Sequence, residues 1–260
     1  MRTMITALAA LSLATPLAAQ DYRFSKEMAT GTKLTIENIN GTIEATQSSG
    51  RTAEVLVTKT VKKGDGSLVK AIMEADGDGI RVCTIYLNRD RNRNSCKGDN
   101  SSNSRDGDNF QVEMHYVIKV PAGVRLSADN VNGNVTARGL EAPASLQTVN
   151  GDVTFEGATA TSIQTVNGKV RGTFTRGSWD GKLDIETVNG SVDLTFPATL
   201  NATISGETVN GSIQSNDFPI TIEGKWGPKS FSGRIGGGSS KLSIQTVNGG
   251  ITLQRSGRGS

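Results

Sequence analysis

Along most of the chain, apolar and polar residues alternate with a period of two, the signature of strands that bury one face. Leu183, Ile185 and Thr187 alternate with Asp184 and Glu186; after a break, Val192, Leu194 and Phe196 alternate with Asp193 and its neighbours. Leu242, Ile244 and Thr246, then Ile251 and Leu253, repeat the arrangement. Earlier, "AEVLVTKTV", "IRVCTIYL" and "FQVEMHYVIKV" within 53–120 read as longer strands. The fold class predicted is all-β.

What interrupts the alternation is one recurring dipeptide. "QTVNGDVTFEG" at 147–157 is followed by "QTVNGKVRGTF", "ETVNGSVDLTF", "ETVNGSI" and "QTVNGGI". The Asn-Gly pairs are Asn40 and Gly41, Asn132 and Gly133, Asn150 and Gly151, Asn167 and Gly168, Asn189 and Gly190, Asn210 and Gly211, and Asn248 and Gly249. From Asn132 onward they recur every 16 to 22 residues if "SFSGRI" at 230–235 is counted as a degenerate copy, with Ser232 in the Asn place. Such a period marks a stacked array. Asn and Gly tolerate positive φ, so each pair is expected to turn or corner the chain.

Two architectures fit: a hairpin meander, or a β-solenoid (a single-stranded β-helix) of stacked coils with Asn-Gly corners. A hairpin needs only some permissive pair, whereas stacked coils set like on like and reward a repeated Thr-Val-Asn-Gly with side-chain ladders. The solenoid is therefore the expectation. Its regular part covers 129–254, preceded by an elaborated N-terminal β region at 20–128 with a polar loop at 88–109; 255–260 reads as a disordered tail.

Composition agrees with many strands and tight turns. The 35% hydrophobic fraction leaves out 31 glycines, and aromatics are only 5%. Residues 1–19, "MRTMITALAALSLATPLAA", set Arg2 before a short apolar run that ends in Pro16 and small residues, the layout of a cleavable export signal. The run from Met4 to Ala14 falls short of the ~20 residues a membrane-crossing helix needs, and nothing later is apolar enough to span. A periplasmic or secreted protein follows. In that oxidising setting Cys83 and Cys96, the two cysteines, are expected to form a disulfide across a surface loop.

The signal, the early "NING", the "VPAG" connection at 120–123, the serial "TVNG" units and the late "IGGG" before "LSIQTVNG" resemble a bacterial family of adhesin-like β-strand repeat proteins. That family is a domain of unknown function. The resemblance covers about residues 30–254 and implies a β-helical fold and an adhesin-like role, with no catalytic residues to carry over. Ser232 and the 88–109 insertion depart from its pattern.

Little else carries chemistry. His115 is the sole histidine, which excludes a multi-histidine metal site within one chain, and its strand setting reads as structural rather than as the base of a Ser-His-Asp site. "DGDG" at 76–79 lacks calcium-loop spacing, having Leu87 where the terminal Glu belongs, and "RIGGGSSK" at 234–241 lacks the phosphate-loop ending and precedes a strand. No cofactor or metal is expected. Asp184, Glu186, Asp193 and Glu207 could serve a carbohydrate-active enzyme, a polysaccharide lyase or hydrolase, but sit at the solvent-facing parity without a distinctive acid-base grouping. Arg89, Arg91, Arg93 and Lys97 are candidate anion contacts, largely offset by Asp90, Asp99, Asp106 and Asp108. No aromatics interleave them, so nucleic acid is not an expected partner. Trp179 and Trp226 lie in Gly-rich connections where a ring stacks on sugars or caps the core, capping fitting better. The function expected is a non-catalytic scaffold of the cell envelope or surface, binding an envelope glycan or a surface protein; the alternative is the carbohydrate-active enzyme.

Overall fold

The computed structural model describes residues 20–87, 95–96, 111–225 and 227–257. The expected export signal, the candidate anion contacts Arg89, Arg91, Arg93 and Lys97, Trp226 and the last three residues lie outside the described residues.

The alternating segments form strands in chain order. The N-terminal region holds β1 (Gln20–Glu27), β2 (Lys33–Glu37), β3 (Ile43–Ser48), β4 (Thr52–Lys63), β5 (Val69–Asp76), β6 (Gly79–Tyr86) and β7 (Gln111–Pro121). The repeats supply β8 (Arg125–Asp129), β9 (Val135–Leu140), β10 (Ala144–Asn150), β11 (Val153–Gly157), β12 (Ala160–Asn167), β13 (Val170–Phe174), β14 (Lys182–Asn189) and β15 (Val192–Phe196). Last come β16 (Ala202–Asn210), β17 (Ile213–Ser215), β18 (Thr221–Glu223), β19 (Lys229–Ile235), β20 (Ser240–Asn248) and β21 (Ile251–Arg255).

They build two large, mostly parallel sheets. One has ten strands, ordered β1-β4-β7-β3-β9-β11-β13-β15-β21-β17, and the other eleven, ordered β18-β19-β16-β20-β14-β12-β10-β8-β2-β6-β5. Each Asn-Gly leaves a strand of the eleven-stranded sheet and enters a strand of the ten-stranded one. The strands flanking a turn therefore do not pair with each other, and these are not hairpin turns. Like pairs with like instead: Thr165 with Thr187 and Asn167 with Asn189 between β12 and β14, and Val170 with Val192 between β13 and β15.

Between the sheets, inward residues from both form one continuous core, from Leu34 and Ile36 to Leu242, Ile244 and Leu253. In the C-terminal half this core contains a run of rings: Phe174 stacks on Phe196 at 4.7 Å between centroids, with Phe155 on the other side at 5.2 Å. Trp179 joins it, buried, 6.1 Å from Phe196, with its Nε1 donating to Lys241 O at 3.2 Å. It is a core residue rather than a sugar platform.

Both ends are closed by antiparallel strands. β4 and β1 cover β7, β5 covers β6, and β19 and β18 cover β16. Lys59 closes the first end from inside. Its buried Nζ donates to Gly66 O at 2.9 Å and to Val69 O and Tyr22 OH at 3.3 Å, and burial holds its pKa below the usual lysine value. These acceptors compensate part of the cost of burying the ammonium group.

The structure corrects two expectations. First, Ser232 turns nothing. It lies within β19, opposite Ser205 of β16 in antiparallel register, because the alternation of Phe231 with Ile235 runs straight through it. The interval between Asn210 and Asn248 holds a capping hairpin, and β20 then returns to lie between β14 and β16, parallel to both. Neighbours in space are thus not always neighbours in sequence. Second, positive φ is not the common reason for the motif glycine. Gly41 and Gly133 have φ of 121° and 131°, but Gly151, Gly168, Gly190, Gly211 and Gly249 lie outside the left-handed range. What these five share is closeness: a Cβ on Gly168 would collide with the main-chain carbonyl of Gly151, and one on Gly190 with that of Gly168.

Candidate binding groove and the ladder beside it

Each repeat sends Gln or Glu, then Thr, Val and Asn, toward the same edge of the eleven-stranded sheet. Stacking turns each letter of the motif into a row. Thr points inward and is buried, its Oγ1 donating to the glycine carbonyl of a neighbouring repeat: Thr148 to Gly133 at 2.9 Å, Thr165 to Gly151 at 2.8 Å, Thr187 to Gly168 at 3.0 Å. Thr246 and Thr208 do the same to Gly190 and Gly249. At the last repeat Lys229 of β19 takes over, its Nζ donating to Gly211 O at 2.7 Å. At the other end Asn130 stands in the Thr role, its Nδ2 reaching Gly41 O at 2.8 Å.

The asparagines form a single directed ladder. Nδ2 of Asn132, Asn150, Asn167, Asn189 and Asn248 each donates at 2.8 Å to Oδ1 of the preceding rung, Asn40, Asn132, Asn150, Asn167 and Asn189 respectively. Asn210 adds the last bond, to Asn248 at 2.9 Å, and Asn40 hands its own Nδ2 to Tyr86 OH at 3.1 Å. All amide dipoles point one way, an arrangement in which each bond polarises the next.

The motif valines face outward. Val131, Val149, Val166, Val188, Val247 and Val209 are each 37–41% exposed, an unbroken apolar row across six adjacent strands. Beside it runs a polar row: Asp129, Gln147, Gln164, Glu186, Gln245 and Glu207. The polar row, the valines Val149, Val166, Val188, Val247 and Val209, and threonines between the rows line a groove of about 430 Å³. Within it no two carboxylates are adjacent, each having an amide beside it; Gln164 Nε2 donates to Glu186 Oε2 at 3.4 Å. The expected solvent-facing positions hold, with Asp193 and Glu207 exposed and Asp184 partly so. Asp193 belongs to the other sheet, so these four carboxylates do not converge.

Two carboxylates do meet at the groove's N-terminal end, where Glu37 and Asp129 are register partners on β2 and β8. Burial pushes both pKa values up, opposed at Glu37 by Arg81 and at Asp129 by the Ser127 hydroxyl. Arg81 spans Glu37 and Asp76, with its NH2 2.8 Å from Asp76 Oδ2. Glu37 is thus tied into an ion network, while Asp129 accepts from Ser127 Oγ at 3.3 Å at the end of the groove. His115 sits on the opposite face, on β7, against Thr42 Oγ1 at 3.1 Å and Glu113 at 3.4 Å. Among the described residues no group of three or more His, Cys, Asp or Glu is placed to hold a metal ion.

Cys83 and Cys96 form a disulfide, their Cα atoms 5.8 Å apart. With Ile85 and Leu87 they make a small second core on the outside of β6. Glu74 fastens the returning chain there, one carboxylate oxygen accepting from Ser95 Oγ and Cys96 N at 3.1 Å each.

Sequence reasoning placed the valines only as part of a motif and missed the groove. Their exposure was foreshadowed by parity: Val188 stands two positions from Glu186, on the same outward side.

These features define an all-β repeat protein of two large, mostly parallel sheets, whose outer face carries side chains in straight rows. The profile of the Toastrack DUF4097 family matches residues 32–254, and the chain belongs to that family. No curated protein matches it. Among solved structures it is similar to a candidate cell adhesion protein from Clostridium sporogenes, at 9% identity over 92% of this chain and 100% of that one, with a TM-score of 0.46. It is also similar to a candidate adhesin from Bacteroides fragilis, at 11% identity over 91% and 97%, with a TM-score of 0.33.

Proposed function

We propose that this protein is an exported, non-catalytic, adhesin-like scaffold of the cell envelope or surface, a β-solenoid of stacked coils that binds an extended glycan along its groove. The observation that carries this reading is the groove itself, six strands long, with a valine row against a row of amides and carboxylates. Strands repeat every ~4.8 Å, so the groove offers the same contact again and again to a polymer that is itself repetitive. A sugar ring has an apolar C–H face for valine and a hydroxyl rim for Gln, Glu and Asp. The carboxylates favour neutral or amine-bearing polymers over anionic ones. Individually weak contacts gain strength when several rungs, or several displayed copies, engage together.

Export is supported by the N-terminal sequence pattern and by the disulfide. The enzyme alternative would need an acid and a base facing one bond, whereas amides separate the carboxylates lining the groove from one another. The test is retention of fractionated envelope glycans on the immobilised protein, with released reducing ends followed in parallel. Val149→Arg with Val188→Arg should abolish retention of neutral glycans while leaving the circular dichroism spectrum intact. Undiminished retention by that variant, or glycan cleavage abolished by one Asp or Glu substitution, overturns the reading.

A further inference from the structure

In an Asn-Gly pair the glycine amide nitrogen can attack the preceding side-chain amide with little hindrance, since glycine has no side chain in the way. The protein carries seven such pairs along one edge, and six of their asparagines, Asn132, Asn150, Asn167, Asn189, Asn210 and Asn248, are exposed. Exposure does not distinguish them. Hydrogen bonding does.

In six pairs the glycine N–H, the group that would attack, donates to the main-chain carbonyl of the next rung's asparagine. Gly41 donates to Asn132 at 2.9 Å, Gly133 to Asn150 at 2.8 Å, Gly151 to Asn167 at 3.0 Å, and Gly168 to Asn189 at 3.1 Å. Gly190 donates to Asn248 at 3.0 Å and Gly249 to Asn210 at 3.1 Å. In the same six pairs the asparagine Oδ1, that of Asn40, Asn132, Asn150, Asn167, Asn189 and Asn248, is also held by the next rung's Nδ2. Both restraints require a further rung, and Asn210 has none. Its Nδ2 bonds to Asn248 and its main-chain carbonyl accepts from Gly249, but among the described residues its Oδ1 accepts nothing and the Gly211 N–H has no partner.

We infer that Asn210 is a site of spontaneous deamidation in the folded protein, while the six inner asparagines are protected. The Gly211 amide loses its proton to solvent base and its nitrogen bonds to Asn210 Cγ; the Cγ–Nδ2 bond breaks and ammonia leaves. Water then opens the resulting succinimide at either carbonyl, giving aspartate or isoaspartate. One water is consumed, one ammonia is released, and nothing is oxidised or reduced. The product lacks the Nδ2 donor to Asn248, and the isoaspartyl form lengthens the main chain by one methylene, displacing the carbonyl that holds Gly249. Asn248 then becomes the open end, so modification proceeds inward from Asn210 to Asn248 and then Asn189, adding negative charge to that end of the groove's edge.

The experiment is prolonged incubation of the full exported chain at mildly alkaline pH, with peptide mapping by mass spectrometry in ¹⁸O-water, alongside the same protein in denaturant. Folded, Asn210 should convert about tenfold or more faster than any inner asparagine, the factor that two missing hydrogen bonds imply, with Asn248 following after a lag. In denaturant the seven should differ by only a few-fold, since all share the same Asn-Gly chemistry. A folded-state rate at Asn210 no greater than at Asn150 or Asn167, or a preference for Asn210 that persists in denaturant, overturns the inference.

Discussion

Gly168→Ala separates the two explanations for the motif glycine. The added methyl would meet the Gly151 carbonyl carbon and oxygen and the Asp152 nitrogen, all main-chain atoms that cannot rotate away. Relief requires the two repeats to part at the corner, and the bonds most directly strained are Gly151 N to Asn167 O at 3.0 Å, Thr165 Oγ1 to Gly151 O at 2.8 Å, and Asn167 Nδ2 to Asn150 Oδ1 at 2.8 Å. Losing or stretching three such bonds, at about 1 kcal/mol each, gives a cost of about 3 kcal/mol. Bending the corner instead falls in the same range, since overpacking a fixed site costs typically ~1–3 kcal/mol. For a chain this size that corresponds to a melting temperature lower by roughly 6–12 °C. The comparison is Gly181→Ala, at φ 78° with open space around it, where only the left-handed backbone is penalised, by about 1–2 kcal/mol. Thermal and urea unfolding of both variants, followed by circular dichroism, should rank Gly168→Ala as the more damaging. If it stays within ~0.5 kcal/mol of the parent, the usual range for a substitution that disturbs no special feature, the close-approach argument is wrong.

Asn167→Ala, mid-ladder, removes two side-chain bonds, and Asn210→Ala at the open end removes one. Water can reach the freed partners, so the costs should be about 1–2 and ~0.5–1 kcal/mol, and equal losses in urea titrations would show that the ladder is not a stabilising unit. Asp129→Asn should melt higher than the parent near neutral pH, with the difference vanishing in acid below the carboxylate range. Burial raises the Asp129 pKa in the folded state, so between the unfolded and folded values the folded chain binds more protons and stability falls as pH rises. A gain that persists in acid would assign the effect to something other than that charge.

Much of the repeat was legible in the sequence because its physics is local. Parity set Leu183, Ile185 and Thr187 inward, and all three are buried; repetition of Thr-Val-Asn-Gly announced rows of like side chains. The glycine requirement was legible and its reason was not, since closeness to another repeat's carbonyl is a distance between segments remote in sequence. The same holds for Lys229 and Tyr86, which finish the Thr and Asn rows from strands outside the motif. Buried Lys59 reads in "VTKTV" as one more surface lysine until β1 and the 66–69 turn close over it.

By itself, then, the sequence determined the all-β class, the face each side chain presents and the identity of each rung, because these depend on period-two geometry and on one dipeptide. Only the tertiary structure decided the order of the rungs. β14, β16 and β20 all end in Thr-Val-Asn and present the same donors and acceptors, so nothing within them says which lies between the others. β20 takes the middle place because the capping strand β19 occupies the far edge of β16, leaving the gap beside β14 for the returning chain. That choice leaves Asn210 rather than Asn248 at the open end of the ladder, and brings six valines, scattered from 131 to 247 along the chain, into one row, five of them lining the groove.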